Sequence, residues 1–302
     1  MKRFTHTAVP HALSLCLCLM AAFARAEAPA AAAPAAPSIT IADKPVRLIR
    51  GVTAYKGVLG TALQKDDIVE TGATGIQIEA GPNALVAVGP QTKLYVLGLA
   101  SDDKASTVLV LLDGWIKLVA KTAKPAAVGT PVIHLSVASG ASVVHASADK
   151  GEMFAEEGQH IVAKVDDKGK PGALTKVAGE QYAFANATQP LQVLPRPASD
   201  FLKTMPPAFR DRLVAAPGVA KSAKPGKPAP PVKERDVDYA DVAPWLQARL
   251  QVRRALVTRF KPRLADPAFR SQLEQELGQT PEWKAILYPP PAARSANPSY
   301  AP

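Results

Sequence analysis

The side chains best suited to metal or acid–base chemistry are three histidines in the central part of the chain, His134, His145 and His160. If His134 and His145 lay on adjacent strands, they would chelate a metal together with Asp149 or Glu152. The alternative, which we favour, is that all three are isolated strand and loop residues. We therefore predict neither a metal site nor a bound cofactor.

Carboxylates and serines offer no convergent catalytic set. Adjacent acidic residues occur at four places: Asp66–Asp67, Asp102–Asp103, Glu156–Glu157 and Asp166–Asp167. Neighbours in a strand point to opposite faces, so these pairs fit solvated turns better than a general acid and base. Ser136, Ser139 and Ser142 lack a nucleophile-elbow context, and no glycine-rich segment carries a P-loop lysine. We therefore expect no catalytic residue and no enzyme; a metal-dependent envelope enzyme is the least favoured alternative.

A basic segment is the least random feature of the sequence. Six basic residues and no acidic residue lie between Val242 and Ala265: Arg249, Arg253, Arg254, Arg259, Lys261 and Arg263. Solvated helix faces usually mix the two signs. The segment would therefore bind an anionic partner, such as lipid head groups, lipopolysaccharide phosphates, peptidoglycan carboxylates or an acidic protein. The alternative is that it pairs with acidic residues of the same chain, including Glu274 and Glu276.

Two aromatic residues of the β-rich region, Tyr95 and Trp115, could stack on the sugar rings of an envelope polymer. A tryptophan on a strand more often packs in the core. Trp245 and Trp283, at helical positions, fit packing anchors in the same way. We keep Tyr95 and Trp115 as a polymer-stacking hypothesis.

The first 26 residues have the organisation of a secretory signal peptide. Lys2 and Arg3 form a positive start, an apolar stretch runs from Ala8 to Phe23, and Ala24-Arg25-Ala26 supplies small residues for a cleavage site. The apolar stretch is shorter than the roughly 18 to 20 residues that span a bilayer. We therefore expect export to the periplasm, with an uncleaved N-terminal anchor as the alternative.

Cleavage would remove both cysteines of the chain, Cys16 and Cys18. The mature protein would then have no disulfide and no thiolate metal site. No later stretch looks like a hydrophobic span, so we expect no transmembrane segment in the mature chain. Because nucleic acid does not fit the compartment, we exclude it as a partner despite the net charge of +10.

Composition divides the rest of the chain into six segments. In chain order they are an Ala/Pro tether (27–37), a β-domain (38–195), a short helical connector (196–216), a Pro/Lys-rich linker (217–235), a small helical module (236–290) and a disordered tail (291–302). The β-domain carries 15 basic and 15 acidic residues, whereas residues 196–302 carry 18 basic and 10 acidic residues. An electrostatic partner is therefore expected at the C-terminal segments.

Alternating apolar and polar residues predict strands throughout the β-domain. Val46–Arg50, Ile76–Glu79 and Lys93–Val96 show the pattern, and glycine, aspartate and asparagine punctuate it. Thr107–Leu112 is continuously apolar, as expected of a strand that is buried on both faces. The predicted fold class is mainly β with a C-terminal α segment.

A first helix of the helical module is predicted from its apolar stripe. The stripe consists of Leu246, Leu250, Val257 and Phe260. Asp238 or Asp241 would cap the start of this helix, and Pro262 would end or kink it. Two or three helices over about 55 residues make only a marginal core. The module therefore either docks on the β-domain or is completed by a partner.

Further helices are indicated by capping residues and prolines. Asp266-Pro267 would open a second helix that stops at Gly278, and Pro281 would open a third, shorter one. In the connector, residues 198–214 fit a short helix that breaks at Pro206-Pro207.

Several short motifs of the β-domain follow one another in a recognisable order. They are Asp67-Ile68-Val69-Glu70-Thr71-Gly72, Gly89-Pro90-Gln91-Thr92-Lys93-Leu94 and Val110-Leu111-Leu112-Asp113-Gly114-Trp115-Ile116-Lys117. Together they resemble the landmarks of FecR-like domains, named after the periplasmic part of the ferric dicitrate sensor-regulator, over about residues 45 to 165. Two departures are visible: Asp66 stands where the family usually has glycine, and Ser139–Ser142 replaces its later Gly-Thr.

The resemblance implies a β-solenoid or rolled-sheet interaction domain that is not an enzyme. The anti-sigma regulators of this family carry a helical cytoplasmic segment and a transmembrane helix before the domain, and we expect neither in this chain. We therefore expect an exported, non-enzymatic cell-envelope protein. Its FecR-like domain would mediate protein interaction or scaffolding, with a link to envelope sensing or signalling. The alternative function is binding of peptidoglycan or another anionic envelope polymer through Tyr95, Trp115 and the basic segment.

Overall fold

The computed structural model describes residues 37–80, 84–99, 106–120, 125–166, 168–216, 229–248, 250 and 252–289. Within them, the strands are β1 (Ser38–Ala42), β2 (Val46–Arg50), β3 (Thr53–Gly57), β4 (Asp67–Glu70), β5 (Ile76–Ala80), β6 (Ala84–Val88), β7 (Lys93–Gly98), β8 (Val108–Ala120), β9 (Ala126–Gly129), β10 (Ile133–Ala146), β11 (Lys150–Lys164), β12 (Thr175–Ala178), β13 (Tyr182–Asn186), β14 (Gln192–Leu194) and β15 (Val232–Asp236). The helices are α1 (Ser199–Thr204), α2 (Tyr239–Gln247), α3 (Arg253–Phe260), α4 (Pro267–Leu277) and α5 (Pro281–Leu287). The predicted signal peptide and C-terminal tail lie outside the described residues.

All fifteen of these strands belong to one sheet, which is antiparallel except for the pair β8–β9. The first half of β8 pairs with β7 and its second half pairs with β6 and β10. β10 and β11, of 14 and 15 residues, each pair with different partners at their two ends. Alternate residues of both halves of the sheet meet in one buried apolar cluster. The sheet is therefore folded over on itself along its three long strands.

The fold-over depends on two glycines that face each other across the β10–β11 ladder. Gly140 pairs with Gly158, and both have positive φ, +113° and +87°. A Cβ on Gly140 would lie 2.1 Å from the Glu157 carbonyl oxygen, and one on Gly158 would lie 2.0 Å from that of Ser139. Only glycine permits this backbone approach and conformation. The ladder therefore bends here and continues through Val143.

Burial on both faces of β8 confirms the interpretation of its continuous apolar run. Leu109 and Leu111 point into the cluster between the two halves of the sheet. Val110 and Leu112 point outward and are buried under the C-terminal helices. Successive side chains of a strand point to opposite faces, so a strand that is covered on both faces has a continuously apolar sequence instead of an alternating one.

The helices α2–α5 cover the outer face of β2, β4, β7 and the first half of β8, which we call the helical face. Ile49, Ile68 and Tyr95 from these strands share one buried cluster with Trp245 and Phe260 from the helices. Of the two alternatives for the helical module, docking on the β-domain is the one observed. The cluster gives these helices the apolar partner that their own small core lacks.

The prediction of one continuous helix from about residue 239 to Pro262 is wrong. α2 ends at Gln247, Ala248 is extended (ψ 150°), and α3 begins at Arg253. The four predicted stripe residues are all buried. A straight helix over residues 239–265 would be about 40 Å long, whereas four paired strands span only about 20 Å. The break folds the two halves over the same face.

The remaining helices begin and end where the capping residues predicted. Asp238 forms a capping box with Asp241 at the start of α2. The Asp266 carboxylate accepts hydrogen bonds from the first turn of α4, which stops at Gly278. Pro281 occupies the first position of α5.

Residues 199–216, which we call the strap, cross the opposite outer face of the sheet. The strap consists of α1, a 3-10 turn at Pro207–Phe209 and an extended stretch, with the predicted break at Pro206. Three of its apolar residues, Phe201, Met205 and Phe209, are buried in one cluster with Trp115 and Tyr182 of the sheet. We call this side of the molecule the strap face.

The last part of the predicted linker 217–235 is not a linker. Residues 232–235 belong to β15, which pairs with β3 at the edge of the sheet. Its five residues, Val-Lys-Glu-Arg-Asp, are all exposed. Alternating charges and the register shift between Lys233 and Arg235 protect such an edge from further pairing. Residues 217–228 lie outside the described residues.

A mainly β fold with C-terminal helices is confirmed. The sheet is not closed on itself, and the choice between a solenoid and a rolled sheet stays a prediction. In the described part of the chain, no helix is long and apolar enough to cross a bilayer.

Candidate functional site

The histidines do not come together. His134 and His145 lie on the same strand, β10, eleven residues apart, or about 36 Å along the strand. The shared metal site, which the sequence did not favour, required adjacent strands and is therefore not formed by these two histidines. The described residues contain no group of three or more metal-ligating side chains. His160 is buried, its Nε2 atom lies 3.0 Å from the Glu157 carbonyl oxygen, and burial lowers its pKa.

Three of the five described residues of the basic segment, Arg253, Arg259 and Arg263, have partners inside the molecule. Arg259 donates from its guanidinium to the backbone carbonyls of Ile49, Gly51 and Asp66. Its pKa is lowered by burial. Arg263 donates to the Val237 carbonyl at 2.8 Å. These side chains fasten the helices to the sheet side of the molecule.

The other basic residues divide into one ion pair and two exposed side chains. Arg253 lies 3.5 Å from Glu282. Arg254 and Lys261 are exposed, and the described residues offer them no ion pair. Arg249 lies outside the described residues.

The acidic partners of the basic segment differ from those suggested by the sequence. Arg263 pairs with Asp266 at 2.7 Å and lies 3.7 Å from Asp236. Glu274 is engaged by Arg270 within α4, at 2.9 Å. The alternative of internal pairing therefore holds for Arg253 and Arg263, but through different carboxylates.

The two aromatic residues proposed to stack on a polymer lie on opposite faces of the sheet. Tyr95 is 2% exposed and lies beneath the helices, with Trp245 edge-on at 6.1 Å. Its hydroxyl donates to Asp66, and burial is the main cause that raises its pKa, to about 12. Trp115 is 8% exposed and lies beneath the strap. Neither ring has a free face for a sugar, so the stacking hypothesis for this pair is wrong.

A buried carboxylate organises the aromatic residues of the strap face. Glu152 is 3% exposed and bonds to His145 Nδ1 at 2.8 Å, to Lys150 Nζ at 2.7 Å and to the Tyr182 hydroxyl. Burial alone would raise its pKa, but these hydrogen bonds outweigh burial and lower the pKa to about 2. The ring of His145 stacks on Trp115 at 4.2 Å. Glu152 therefore fixes both aromatic walls of this face.

Phe201 of the strap is inserted between those walls. Its ring centroid lies 5.0 Å from that of Trp115 and 5.1 Å from that of Tyr182. It is 2% exposed. Trp115 and Tyr182 thus form an aromatic socket, held by the Glu152 network, for one side chain of the strap.

Beyond the socket, buried polar side chains of the sheet hold the backbone of the strap. Lys117 Nζ donates to the carbonyls of Phe209 at 2.9 Å and Asp211 at 2.7 Å. Gln77 donates to the Val214 carbonyl at 3.0 Å. Further along the strap, the backbone is the donor: the Ala216 amide donates to the Glu79 carboxylate at 2.7 Å.

These three side chains are unusual in being polar and almost fully buried. Lys117, Gln77 and Glu79 are 2%, 5% and 8% exposed. Lys117 also binds Glu156 at 2.8 Å, and Gln77 binds Glu79 at 3.0 Å. Polar groups this deeply buried are tolerated only when hydrogen-bonded. The strap backbone supplies part of that requirement.

An open groove of about 630 Å³ runs beside the strap. Its lining includes apolar positions at Val119, Ala141, Phe154 and Leu213. Charged residues also line it: Lys117, Glu156, Glu157, Glu180, Arg210 and Arg212. The groove borders the sheet surface that the strap covers, because Lys117 lies under the strap and Leu213 belongs to the strap. We call this covered surface the channel.

The sequence does not mark this region as a site. Gln77 and Glu79 alternate with buried isoleucines in β5, a pattern that is typical of a strand with one side facing solvent. Lys117 lies between apolar residues on both sides, Trp115-Ile116 and Leu118-Val119, and this setting is the signal that could have marked it. A lone lysine in an apolar strand must either reach solvent or find buried acceptors.

Comparisons with known proteins give limited information. No protein-family model matches the chain, and no curated protein matches it. Two crystal structures of a candidate anti-sigma factor from Parabacteroides distasonis show a distant likeness in fold, with a TM-score of 0.37 in each case. The identities are 14% and 13%, over 45% of this chain. This chain spans 64% and 62% of those chains, less than two thirds of their length.

Proposed function

We propose that this chain is an exported, non-enzymatic protein of the cell envelope, whose FecR-like rolled β-domain mediates protein interaction or scaffolding in envelope sensing. Export to the periplasm rests on the signal-peptide pattern of residues 1–26. Detection of the native protein in the cytoplasm would overturn this part of the proposal.

The groove beside the strap is the observation that carries the proposal. Its volume of about 630 Å³ lies within the range of ordinary binding sites. Apolar side chains such as Phe154 and Leu213 would bury surface of a partner, and the charged side chains around them would set orientation. The side chains of Arg212 and Glu157 have no hydrogen-bond or ion-pair partner among the described residues, so they are available for a partner.

Site-specific crosslinking in the native compartment tests this function. A photoreactive residue in place of Arg212 is expected to crosslink to a discrete protein of the envelope. The matched control is the same residue in place of Arg270, an arginine of α4 that is remote from the groove lining. Equal crosslinking from both positions, or none from either, would contradict the proposal.

Binding of an anionic envelope polymer is the second candidate, and the exposed side chains of Arg254 and Lys261 favour it. Two exposed cations, Arg254 in α3 and Lys261 directly after it, would bind weakly and with strong dependence on salt. The test is co-sedimentation with purified peptidoglycan at low and high salt, comparing wild type with Arg254→Glu/Lys261→Glu. Absence of retention at low salt would remove this candidate.

A further inference from the structure

Among the described residues, the strap is held in a different way from the C-terminal helices that cover the other face of the sheet. Lys117, Gln77 and Glu79 contact its backbone, at residues 209, 211, 214 and 216. Bonds to the main chain do not depend on which side chains the bound segment carries. One recurring mode of peptide recognition by proteins uses main-chain hydrogen bonds for affinity and pockets for side chains.

The aromatic socket supplies the side-chain pocket of such a site. Phe201 is followed by Met205 and Phe209 at intervals of four residues, and all three are buried against the sheet. Trp115 and Tyr182 are held in position to contact Phe201, because Glu152 bonds to the Tyr182 hydroxyl and to His145, which stacks on Trp115. The site therefore selects an aromatic-x3-apolar-x3-aromatic segment followed by an extended backbone.

The strap also lies apart from the core that holds the sheet together. Its buried residues belong to a cluster on the outer face and share no member with the cluster between the two halves of the sheet. Residues 211–216 form no strand and pair with no ladder. Displacement of the strap would uncover one face of the sheet without opening its interior.

From these features we propose that the channel beneath the strap is a peptide-binding site, which the strap of the same chain occupies. A segment of a partner protein with the same spacing of aromatic and apolar side chains binds there in place of the strap. The proposal rests on the proposed function, because it assigns the interacting partner a recognition mode. The open groove gives the partner a first contact beside Leu213, from which it replaces the strap.

The test uses the full chain and a labelled synthetic peptide with the sequence of residues 198–216 as the probe. In wild type, the attached strap competes at a high effective concentration, so the probe binds weakly. In a Phe201→Ala/Phe209→Ala protein, the strap is loosened, and we expect the probe to bind at least about tenfold more tightly. Fluorescence anisotropy measures both affinities.

Two controls locate the binding. A probe with alanine at both phenylalanine positions should lose binding to the loosened protein. Lys117→Met in the loosened protein should weaken binding of the intact probe by about tenfold, because two hydrogen bonds from a charged donor are removed. A folded, loosened protein that does not bind the probe, or that binds it regardless of Lys117→Met, overturns the proposal.

Native-state hydrogen exchange on the wild-type chain keeps the test valid if the loosened protein fails to fold. We expect the Ala216 amide to exchange through a local opening, faster than the amides of β8 and β10. Exchange of this amide only through global unfolding overturns the proposal. If position 212 crosslinks to a partner but the probe does not bind, the channel proposal is wrong and the proposed function stands. If the probe binds but no partner is crosslinked, the proposed function is wrong and the channel proposal stands.

Discussion

The two outer faces of the sheet are covered by the same chain in opposite ways. On the helical face, a side chain of the covering segment bonds to backbone beneath it: Arg259 of α3 donates to three carbonyls. On the strap face, side chains of the sheet bond to the backbone of the covering segment, through Lys117, Gln77 and Glu79. A cover that contributes its own specific side chains cannot be exchanged for another sequence. A cover whose extended part is held by its main chain can be exchanged for another segment that keeps the aromatic and apolar side chains of positions 201, 205 and 209.

The apolar contacts differ in the same sense. The helical face joins residues of four helices and five strands in one cluster, so the helices also stabilise one another. The strap contributes chiefly three buried side chains, Phe201, Met205 and Phe209, to a smaller cluster. We therefore expect the helical face to unfold with the sheet and the strap to open by itself.

Truncating one buried aromatic residue on each face tests this difference, and the larger effect is expected on the helical face. Trp245 is 0% exposed and donates to Glu70 at 3.2 Å. Trp245→Ala should lower the free energy of unfolding by about 3 to 5 kcal/mol. Phe201→Ala should lower it by less than half of that, because the loss cannot exceed the free energy of strap opening. Urea unfolding measures both.

The comparison fails if Phe201→Ala costs as much as Trp245→Ala. Trp245→Phe is the matched control for Trp245, because it keeps an aromatic ring and removes only part of the volume and the hydrogen bond to Glu70. Its cost should lie between those of the two alanine variants.

Acid should weaken the strap face through Glu152. Its pKa of about 2 is below the ordinary value, so its ionised form stabilises the fold above pH 4.5, and that contribution is lost as the pH falls toward 2. The contribution is about 2 to 3 kcal/mol. Glu152→Gln should therefore lie below wild type in unfolding free energy at pH 6, and the gap should shrink toward pH 2.

Measuring the unfolding free energy across this pH range checks the effect. Asp241 on the helical face also has a lowered pKa: burial would raise it, but hydrogen bonds from Arg235 and the backbone of Asp238 outweigh that cause. Both proteins lose this second contribution equally, so it cancels in their difference. A gap that stays constant with pH would show that the Glu152 network does not stabilise the folded state.

Two arginines of one helix should differ in their effect on stability. Arg259→Met removes the donors of three backbone carbonyls and should cost about 2 kcal/mol. Arg254→Met, on the exposed side of α3, should change the free energy of unfolding by less than about 0.5 kcal/mol. Thermal or urea unfolding of the two variants checks this. Equal costs would mean that the bonds of Arg259 do not fasten the helical face.

The strands and the caps were predictable because each depends on short-range chemistry. Alternation in β2, β5 and β7 and the continuous run of β8 follow from which side of a strand is covered. Asp238 and Asp266 cap their helices through their own side chains. The break after Gln247 was not predictable, because it depends on the width of the sheet on which the helices pack.

The site on the strap face could not be predicted for a related reason. Gln77 and Glu79 look like the solvent side of an amphipathic strand, and only the distant strap buries them. Likewise, the charges of Arg259 and Arg263 suggested an external partner, whereas the carbonyls that accept their hydrogen bonds come from backbone, which leaves no mark in the sequence. Recognition of main chain is invisible to arguments from side-chain types.

The smallest expected effects concern one residue with positive φ near each face. Asp66, where the FecR-like pattern usually has glycine, has φ +69° and accepts a hydrogen bond from Tyr95 under the helices. Glu180, with φ +68°, lines the groove beside the strap, and its side chain has no partner among the described residues. Glycine at either position would relieve the conformational cost of the positive φ, and this gain would be partly offset by the greater freedom of the unfolded chain.

Glu180→Gly should therefore stabilise slightly, by about 0.5 kcal/mol, whereas Asp66→Gly should destabilise by a similar amount because Tyr95 loses its acceptor. Changes of opposite sign in the thermal stability of the two variants would support the comparison: the side chain at position 66 helps to hold the helical face, whereas the side chain at position 180 lines the open groove. A stabilising Asp66→Gly would contradict it.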